Sequence, residues 1–358
     1  MSNSDLSVHQ RSRANRRCAI ALVSVIYAAV SPFPLCAAAN LASPTGTDGL
    51  VMVDKVGGQV RFYDPRTNEE LASLVPSDEP GLKPHELAIS PDHKTLYVTI
   101  YGDGIYGNNP HPGHTIAVID LPSKKRVGSI DLSPCQAPHG IQVDVDGRIY
   151  VTCDLSRKVF IVEPKSREIA AAIDVQGTGH WIALAQNAHK LYVANKNDKP
   201  FISVIDLKQM KMIGTIPMPN GTQGIVAAPD GKTVLAADFA EPFIHILSTK
   251  SDSEVDKVRV QGAQAGLYKV FFSPDGQKVL TCLPNGQVNI FVATNLHAPQ
   301  RVVHSGGSNV MGFAFSADGK LALAGNHGEG TVSRIDLATA TVLDTFAAGR
   351  GVETLAYY

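Results

Sequence analysis

The sequence predicts an all-β fold, a seven-bladed β-propeller built from four-stranded antiparallel blades, and three observations support this prediction. A similar unit occurs seven times, at spacings of 54, 41, 43, 45, 43 and 42 residues, which is the period of a propeller blade. Within each unit, short runs rich in Val, Ile, Leu and Tyr alternate with turn residues. The two chain ends also supply complementary parts of one unit. The seven aligned positions are His85, His139, His180, Gln223, Tyr268, Met311 and Glu353.

Each unit is predicted to fold as a four-stranded meander. Its first two strands are joined by a turn of the Pro-Asp-Gly type, in which Asp and Gly adopt the turn conformation at low cost. Runs such as residues 234–237 are apolar throughout, which indicates that both faces of a blade pack against neighbouring blades. The turns lie at residues 91–93, 145–147, 229–231, 274–276 and 317–319.

The ends of the chain are predicted to share the seventh blade. Residues 351–358 supply only a first strand, whereas the segment that begins at Leu50 supplies a second, third and fourth strand. Pairing residues 353–358 with residues 50–54 would close the ring and remove an exposed sheet edge. Residues 40–358 are therefore predicted to form a single domain.

The N-terminus has the pattern of an export signal. Four arginines precede an apolar run at residues 18–30, and Ala37-Ala38-Ala39 forms an A-x-A cleavage site. Pro32 and Pro34 interrupt the apolar stretch before it reaches the roughly 20 residues of a spanning helix, which disfavours a retained membrane anchor. We therefore predict a signal peptide at residues 1–39 and a mature protein that is periplasmic or secreted.

A short motif connects the repeats to a known family. The segments Leu96-Tyr97-Val98-Thr99, Ile149-Tyr150-Val151-Thr152 and Leu191-Tyr192-Val193-Ala194-Asn195 resemble the YVTN signature of YncE-like exported bacterial propellers. The resemblance covers essentially the whole mature chain and implies an exported seven-bladed propeller. Related seven-bladed propellers include lactonases, streptogramin lyases and quinoprotein subunits, so the resemblance leaves the reaction type open.

Composition and charge limit the partners. The chain is 44% hydrophobic and 18% charged, with 32 Lys and Arg against 33 Asp and Glu and a sequence pI near 6.9. This balance creates no long-range field that favours phosphate backbones or anionic lipid. We expect a monomer that binds neither nucleic acid nor membrane after signal cleavage, and whose partner is a small molecule or a protein.

Histidines gather on one predicted face of the disc. The loops before the first strand and between the second and third strands lie on this face, which we call the top face. The three histidines at aligned positions are expected to approach one another near the axis, joined by two from the insertion at residues 101–114. Neutral imidazoles from adjacent strands can coordinate a divalent transition metal and leave a position open to water or substrate. The predicted metal ligands are His85, His139, His180, His111 and His114.

Other residues of the top face are candidate ligand contacts. Glu86 and Glu353 can orient a metal ligand or act as a base, and Trp181 can stack on a ligand or pack between blades. Glycines in the 101–114 insertion are typical of a mobile lid, although a loop without function has the same composition. The candidates are Glu86, Tyr106, Trp181, Lys196, Gln223, Lys269 and Glu353.

Two functions are compatible with these residues. The favoured one is a binding or scaffold protein that holds a metal, a small ligand or a partner on the top face. The alternative is a metal-assisted hydrolase or lyase, lactonase-like or streptogramin-lyase-like, in which the metal polarises a carbonyl and lowers the pKa of its water. A polar pocket without metal, or histidines that only cap strand ends, would give the same sequence pattern.

The cysteines fit an oxidising compartment. Cys135 and Cys153 are both predicted near the top face beside His139, and an exported protein can oxidise such a pair to a disulfide. Cys282 is predicted to be a buried thiol. The competing interpretation makes Cys153 a metal ligand, which a disulfide would exclude.

Overall fold

The computed structural model describes residues 49–196 and 200–358, and regular structure within them is nearly all β-strand. Twenty-eight strands form seven four-stranded antiparallel blades of a propeller, and the described part also contains a short 3-10 helix at Gln186–Ala188. The predicted fold class is confirmed. The predicted signal peptide lies outside the described residues. Among the residues described, no helix is both long and apolar enough to cross a membrane.

Strands follow chain order within each blade, except in the blade that both chain ends share. The shared blade contains β28 (Val352–Tyr357), β1 (Leu50–Asp54), β2 (Gln59–Tyr63) and β3 (Glu70–Leu74). The next three blades contain β4 (Lys83–Ile89), β5 (Thr95–Gly102), β6 (Pro112–Asp120), β7 (Lys125–Asp131); β8 (Pro138–Val143), β9 (Ile149–Cys153), β10 (Lys158–Val162), β11 (Ile169–Asp174); and β12 (Gly179–Ala185), β13 (Lys190–Asn195), β14 (Phe201–Asp206), β15 (Lys211–Pro217). The last three contain β16 (Thr222–Ala227), β17 (Thr233–Asp238), β18 (Phe243–Ser248), β19 (Ser253–Arg259); β20 (Val270–Phe272), β21 (Lys278–Cys282), β22 (Gln287–Val292), β23 (Arg301–His304); and β24 (Val310–Phe315), β25 (Leu321–Asn326), β26 (Thr331–Asp336), β27 (Thr341–Ala347).

The ring closes where the sequence predicts. Strand β28 pairs antiparallel with β1, with Leu50 opposite Tyr357 and Val53 opposite Thr354. A carboxylate oxygen of Asp54 accepts hydrogen bonds of 3.0 Å from the main-chain nitrogens that follow β27, at residues 350 and 351. The two chain ends are thus joined both by a strand ladder and by a side-chain bridge.

Burial differs between the inner and outer strands of a blade. Every residue of β1 and β9 is buried, because both faces of these strands contact neighbouring blades. The outer strand β27 alternates between exposed and half-buried residues. The core therefore consists of layers between blades, and the axis is left to side chains of the innermost strands.

Candidate functional site

A repeated β-bulge positions the side chains at the axis. In most blades the ladder between the first and second strands is interrupted near the top end of the first strand. A bulge leaves residues unpaired and re-aims their side chains. In three consecutive blades the unpaired residues are His85 with Glu86, His139 with Gly140, and His180 with Trp181. The aligned histidines predicted from the repeats are therefore the residues that the bulges direct away from the ladder.

Threonines of the Tyr-Val-Thr segments hold these bulges. Thr99 accepts a hydrogen bond from the nitrogen of Glu86 at 3.0 Å and donates to the carbonyl oxygen of His139 at 3.1 Å. Thr152 repeats the pattern, since it accepts from the Gly140 nitrogen at 2.9 Å and donates to the His180 oxygen at 2.7 Å. Both hydroxyls are fully buried. Each threonine thus joins the bulge of its own blade to the histidine of the next.

The three histidine side chains stack side by side. The ring centroids of His85 and His139 are 4.0 Å apart, and those of His139 and His180 are 3.6 Å apart. None of the three residues is more than 5% exposed. The rings are packed one behind another in the order of their blades, so that His139 lies in the middle of the row.

Hydrogen bonds define which ring nitrogens are protonated. Nδ1 of His139 lies 3.1 Å from the carbonyl oxygen of His180, and a carbonyl oxygen only accepts, so Nδ1 carries the proton. Nδ1 of His180 lies 3.1 Å from Oδ2 of Asp154 and is likewise the donor. In both rings Nε2 is therefore unprotonated and carries a lone pair. Nε2 of His139 is buried and has no hydrogen-bond partner among the described residues.

His85 differs from the other two because a cation already contacts its lone pair. Nζ of Lys55 lies 2.5 Å from Nε2 of His85, so the ammonium donates and Nε2 accepts. The proton of His85 is then on Nδ1, which faces Oε1 of Glu86 at 3.5 Å and Oε1 of Glu353 at 3.9 Å. In this tautomer Nδ1 carries the proton and Nε2 is occupied by Lys55. His85 can therefore bind a metal only if Lys55 is displaced.

The environment keeps the three imidazoles neutral. Burial lowers the pKa of His85, His139 and His180 well below 6.5, and the Lys55 ammonium lowers each of them further. A metal binds only the neutral imidazole. At neutral pH the histidines are therefore in the state that coordination requires.

The donor atoms fall into two overlapping sets. One set is His85, Glu86 and His139, and the other is His139, Asp154 and His180; within each set the ligand atoms lie within 4.8 Å of one another. The expectation that the three histidines share one coordination point is therefore not met, because stacked rings place the outer two on opposite sides of His139.

The two histidines of the insertion lie elsewhere. The side chain of His111 is 76% exposed and its Nδ1 lies 2.6 Å from Asp103. His114 is 39% exposed and lies 4.0 Å from Glu79. Neither belongs to a donor set found among the described residues, so the prediction that they join the metal site is not supported. His111 lies in the loop and His114 in strand β6, and both side chains are turned away from the histidine row, which repeat spacing does not reveal.

Buried charges surround the histidine row. Burial raises the pKa of Glu86 to about 7, although Lys269 at 3.5 Å opposes this effect. Burial also acts to raise the pKa of Glu353, but Lys55 and His327 outweigh it and hold the pKa at about 2. Glu353 is thus ionised at neutral pH, whereas Glu86 is close to its titration point.

A cavity of about 290 Å³ lies at the mouth of the axis. It contacts His85 and His180 as well as five of the predicted ligand residues, Tyr106, Trp181, Lys196, Gln223 and Glu353. Ile105 and Tyr106 of the insertion form part of its wall, and the Tyr106 ring lies 5.6 Å from that of His180. The insertion therefore covers the mouth, and its movement as a lid stays a prediction.

Two predicted ligand residues, Glu86 and Lys269, do not line this cavity. Glu86 lines a separate cavity of about 500 Å³, which Trp181 also lines. Lys269 is fully buried, with Nζ 3.8 Å from the centre of the Trp181 ring. Trp181 is thus shared by the two cavities, and Lys269 lies against it. Both positions expected for Trp181 are observed: it borders a cavity, and it packs against Phe271 of another blade.

Three residues of the site were not identified from the sequence: Lys55, Asp154 and Tyr101. Lys55 directly follows the polar residue that ends the second strand of its blade. Lys196, Phe239 and His327 occupy the same position in three other blades. All four line a cavity at the mouth. An alignment on the ends of the second strands, in addition to the first strands, would have identified Lys55.

Asp154 departs from the other polar residues at the end of a second strand. Asn195 bonds the carbonyl oxygen of Phe201, and Asp238 accepts from the main-chain nitrogens of Ala240 and Glu241. These two residues also bond side chains of their own blade, Ser203 and His245 respectively. Asp154 instead bonds side chains of the two neighbouring blades, His180 at 3.1 Å and Tyr101 at 3.4 Å. Its role depends on residues of neighbouring blades, which no local pattern reveals.

A disulfide supports the middle of the histidine row. Cys135 and Cys153 are bonded, with Cα atoms 5.6 Å apart, whereas Cys282 is a buried free thiol. Cys153 directly precedes Asp154, and Cys135 lies four residues before His139. Because its sulfur is part of the disulfide, Cys153 is not a metal ligand.

Solved structures with the same architecture support the fold. Hydrazine synthase from Kuenenia stuttgartiensis has a TM-score of 0.67 at 19% identity, over 80% of this chain and 92% of that chain. The Cps50 (Swd1) β-propeller domain of Myceliophteria thermophila has a TM-score of 0.62 at 13% identity, over 76% and 89% of the two chains. No family model and no curated protein matches the sequence. At these identities the comparisons support a seven-bladed β-propeller fold and say nothing of function.

Proposed function

We propose that this protein is an exported, YncE-like propeller that binds a divalent transition metal at the mouth of its axis. The observation that carries the proposal is the buried Nε2 of His139, a lone pair without a partner among the described residues. An unsatisfied buried acceptor costs free energy, and a cation that coordinates it would remove that cost. Export is supported by the N-terminal sequence pattern and by the disulfide, which suits an oxidising compartment.

The tautomers favour one of the two donor sets. His139 and His180 both present Nε2, and Asp154 holds His180 through Nδ1, as a carboxylate commonly does behind a zinc-bound imidazole. In the other set, His85 would have to coordinate through Nδ1 and turn an N–H towards the Lys55 ammonium. Repulsion disfavours that arrangement. We therefore assign the metal to His139 and His180, with its remaining positions open to water or a ligand.

Metal content of single variants tests this assignment. Purified mature protein is loaded with Zn²⁺ and dialysed, and the zinc bound per protein molecule is measured by inductively coupled plasma mass spectrometry. His139→Ala and His180→Ala should each lose bound zinc. His85→Ala should retain it, and so should the exposed control His111→Ala. Retention of zinc in His139→Ala would contradict the proposal, whereas loss in His85→Ala but not in His180→Ala would move the metal to the other donor set.

The alternative function is a metal-assisted hydrolase or lyase at the same site. The observation that favours it is Lys196, whose pKa is lowered by burial to about 8, near the range in which a general base works best. Turnover of lactones and cyclic esters by the zinc-loaded protein, lost in Lys196→Met, would establish this alternative. Metal binding without turnover would favour the binding protein.

A further inference from the structure

We infer that the cavity above the histidine row binds a small aromatic carboxylate, with the carboxylate at Lys196 and the ring among aromatic side chains. This inference rests on the proposed function only in treating the mouth as a ligand site. It does not require a metal, because the residues that carry it are Lys196, Tyr106, Trp181 and Phe239.

Charge matching identifies Lys196 as the group that an anion would meet. Its Nζ lies 4.1 Å from the centre of the Tyr106 ring and 5.6 Å from that of Phe239. Among residues 49–196 and 200–358, it has no carboxylate oxygen within 4.0 Å. Two nearby lysines differ in this respect, since Lys55 lies 3.9 Å from Glu353 and Lys269 lies 3.5 Å from Glu86.

The walls of the cavity fit a flat, apolar body. Tyr106, Trp181 and Phe239 contribute aromatic rings, and Ile105 and Met311 contribute aliphatic surface. An apolar cavity of about 150 Å³ holds benzene, so a cavity of about 290 Å³ holds one ring with one or two substituents. A nucleotide or an oligosaccharide is larger than this volume.

Together these features separate three classes of ligand. An aliphatic or inorganic anion would use Lys196 but leave the aromatic walls without contact. An uncharged aromatic molecule would fill the walls and leave the lysine unmatched. An aromatic carboxylate uses both, so its affinity should exceed that of either partial ligand.

The sequence provides a direct probe. Trp181 is the single tryptophan of the chain and borders this cavity as well as the larger one that Glu86 lines, so its emission responds to a ligand in either. Lys196 lines only the first cavity, and its variants therefore distinguish the two. Benzoate, benzamide and acetate are titrated into the protein in the presence of EDTA. Benzoate should bind about tenfold or more tightly than benzamide, the uncharged analogue, as expected for a hydrogen bond to a charged group. Acetate should bind more weakly than benzoate.

Variants connect the preference to Lys196. Lys196→Met should lower benzoate affinity to the level of benzamide, and Lys196→Arg should preserve the preference because it keeps the charge. Lys94→Met, at an exposed turn of the opposite face, is the control and should change nothing. Equal affinity for benzoate and benzamide in the native protein, or a preference that survives in Lys196→Met, would overturn the inference.

The outcome is independent of the metal proposal. In His139→Ala, metal-free benzoate binding should persist even though zinc uptake is lost. Zinc uptake with no emission change at any benzoate concentration would overturn the aromatic carboxylate and leave the metal site in place. Benzoate binding in a protein that takes up no zinc would support this inference and reject the metal.

Discussion

Oγ1 of Thr152 donates a hydrogen bond of 2.7 Å to the main-chain oxygen of His180 and so joins two adjacent blades at the centre of the site. The same hydroxyl accepts from the nitrogen of Gly140. Thr99 does the same one blade earlier, between Glu86 and His139. The threonine of the Tyr-Val-Thr segment is therefore a positioning residue for the histidine of the following blade.

Replacing Thr152 with valine should reduce both stability and metal affinity. Valine keeps the shape but leaves two buried main-chain groups with one partner fewer, at a cost of about 1–3 kcal/mol in unfolding free energy. Urea unfolding and zinc titration measure the two effects. Thr281→Val is the matched control, because Thr281 is a buried threonine that bonds Lys269 in a blade without an axial histidine. It should lower stability and leave zinc affinity unchanged; equal zinc loss in both variants would contradict the positioning role.

Asp154→Asn should weaken metal binding while the fold persists. The carboxylate accepts from Nδ1 of His180 and keeps Nε2 available, and loss of such a partner typically lowers metal affinity by about 10–100-fold. Competitive zinc titration with a chelator measures the change. Asp103→Asn, which alters the partner of exposed His111, is the control. Unchanged affinity in Asp154→Asn would remove Asp154 from the site.

Acid should destabilise the protein through its buried histidines. Their folded pKa values lie below 6.5 because of burial, so the unfolded chain takes up protons first as pH falls through 6.5. Their contribution to the free energy of unfolding is complete above pH 6.5 and declines below it. Glu86 acts oppositely, because its pKa is raised from 4.5 to about 7. Its contribution to the free energy of unfolding is present below pH 4.5 and declines as the pH rises towards 7.

Removing Glu86 should therefore make the acid sensitivity steeper. In Glu86→Gln the opposing contribution is gone, and the unfolding free energy should fall more steeply between pH 6.5 and 4.5 than in the native protein. In His139→Gln the fall should be shallower. Urea unfolding at several pH values gives these slopes. Parallel slopes in all three proteins would show that these groups do not control the acid response.

Truncation tests ring closure. Deleting residues 351–358 removes β28 with its buried Val352 and Leu355, exposes the edge of β1 and uncovers the apolar side chains that pack against them, such as Leu50 and Met52. Each buried aliphatic side chain contributes about 1.5–3 kcal/mol, so a large fall in the thermal unfolding temperature is expected. An unfolding temperature equal to that of the full chain would mean that the ring does not depend on this strand.

The repeat pattern predicted the blades well because the blade is a local unit. Spacing and turn chemistry located the first strands, and the aligned positions found His85, His139 and His180 on one face. The same alignment predicted the shared blade. The C-terminal segment supplies only a first strand, β28, and the N-terminal segment that begins with β1 supplies the other three.

The arrangement of side chains within the site did not follow from the repeat. Alignment places a residue along its strand, but whether rings stack or converge depends on the distance between blades. The stacking at 3.6 and 4.0 Å divides the donors into two sets. Likewise, Lys55 contacts His85 from a blade formed by both chain ends, and His111 turns outward in a loop that has no counterpart in the other repeats.

X-ray absorption at the zinc edge of the loaded protein is the most direct test of coordination by His139 and His180. Two imidazole nitrogens are expected at about 2.0–2.1 Å, with oxygen ligands in the remaining positions. Three or more imidazoles, or a sulfur ligand, would contradict it, and so would a spectrum unchanged in the His139→Ala variant.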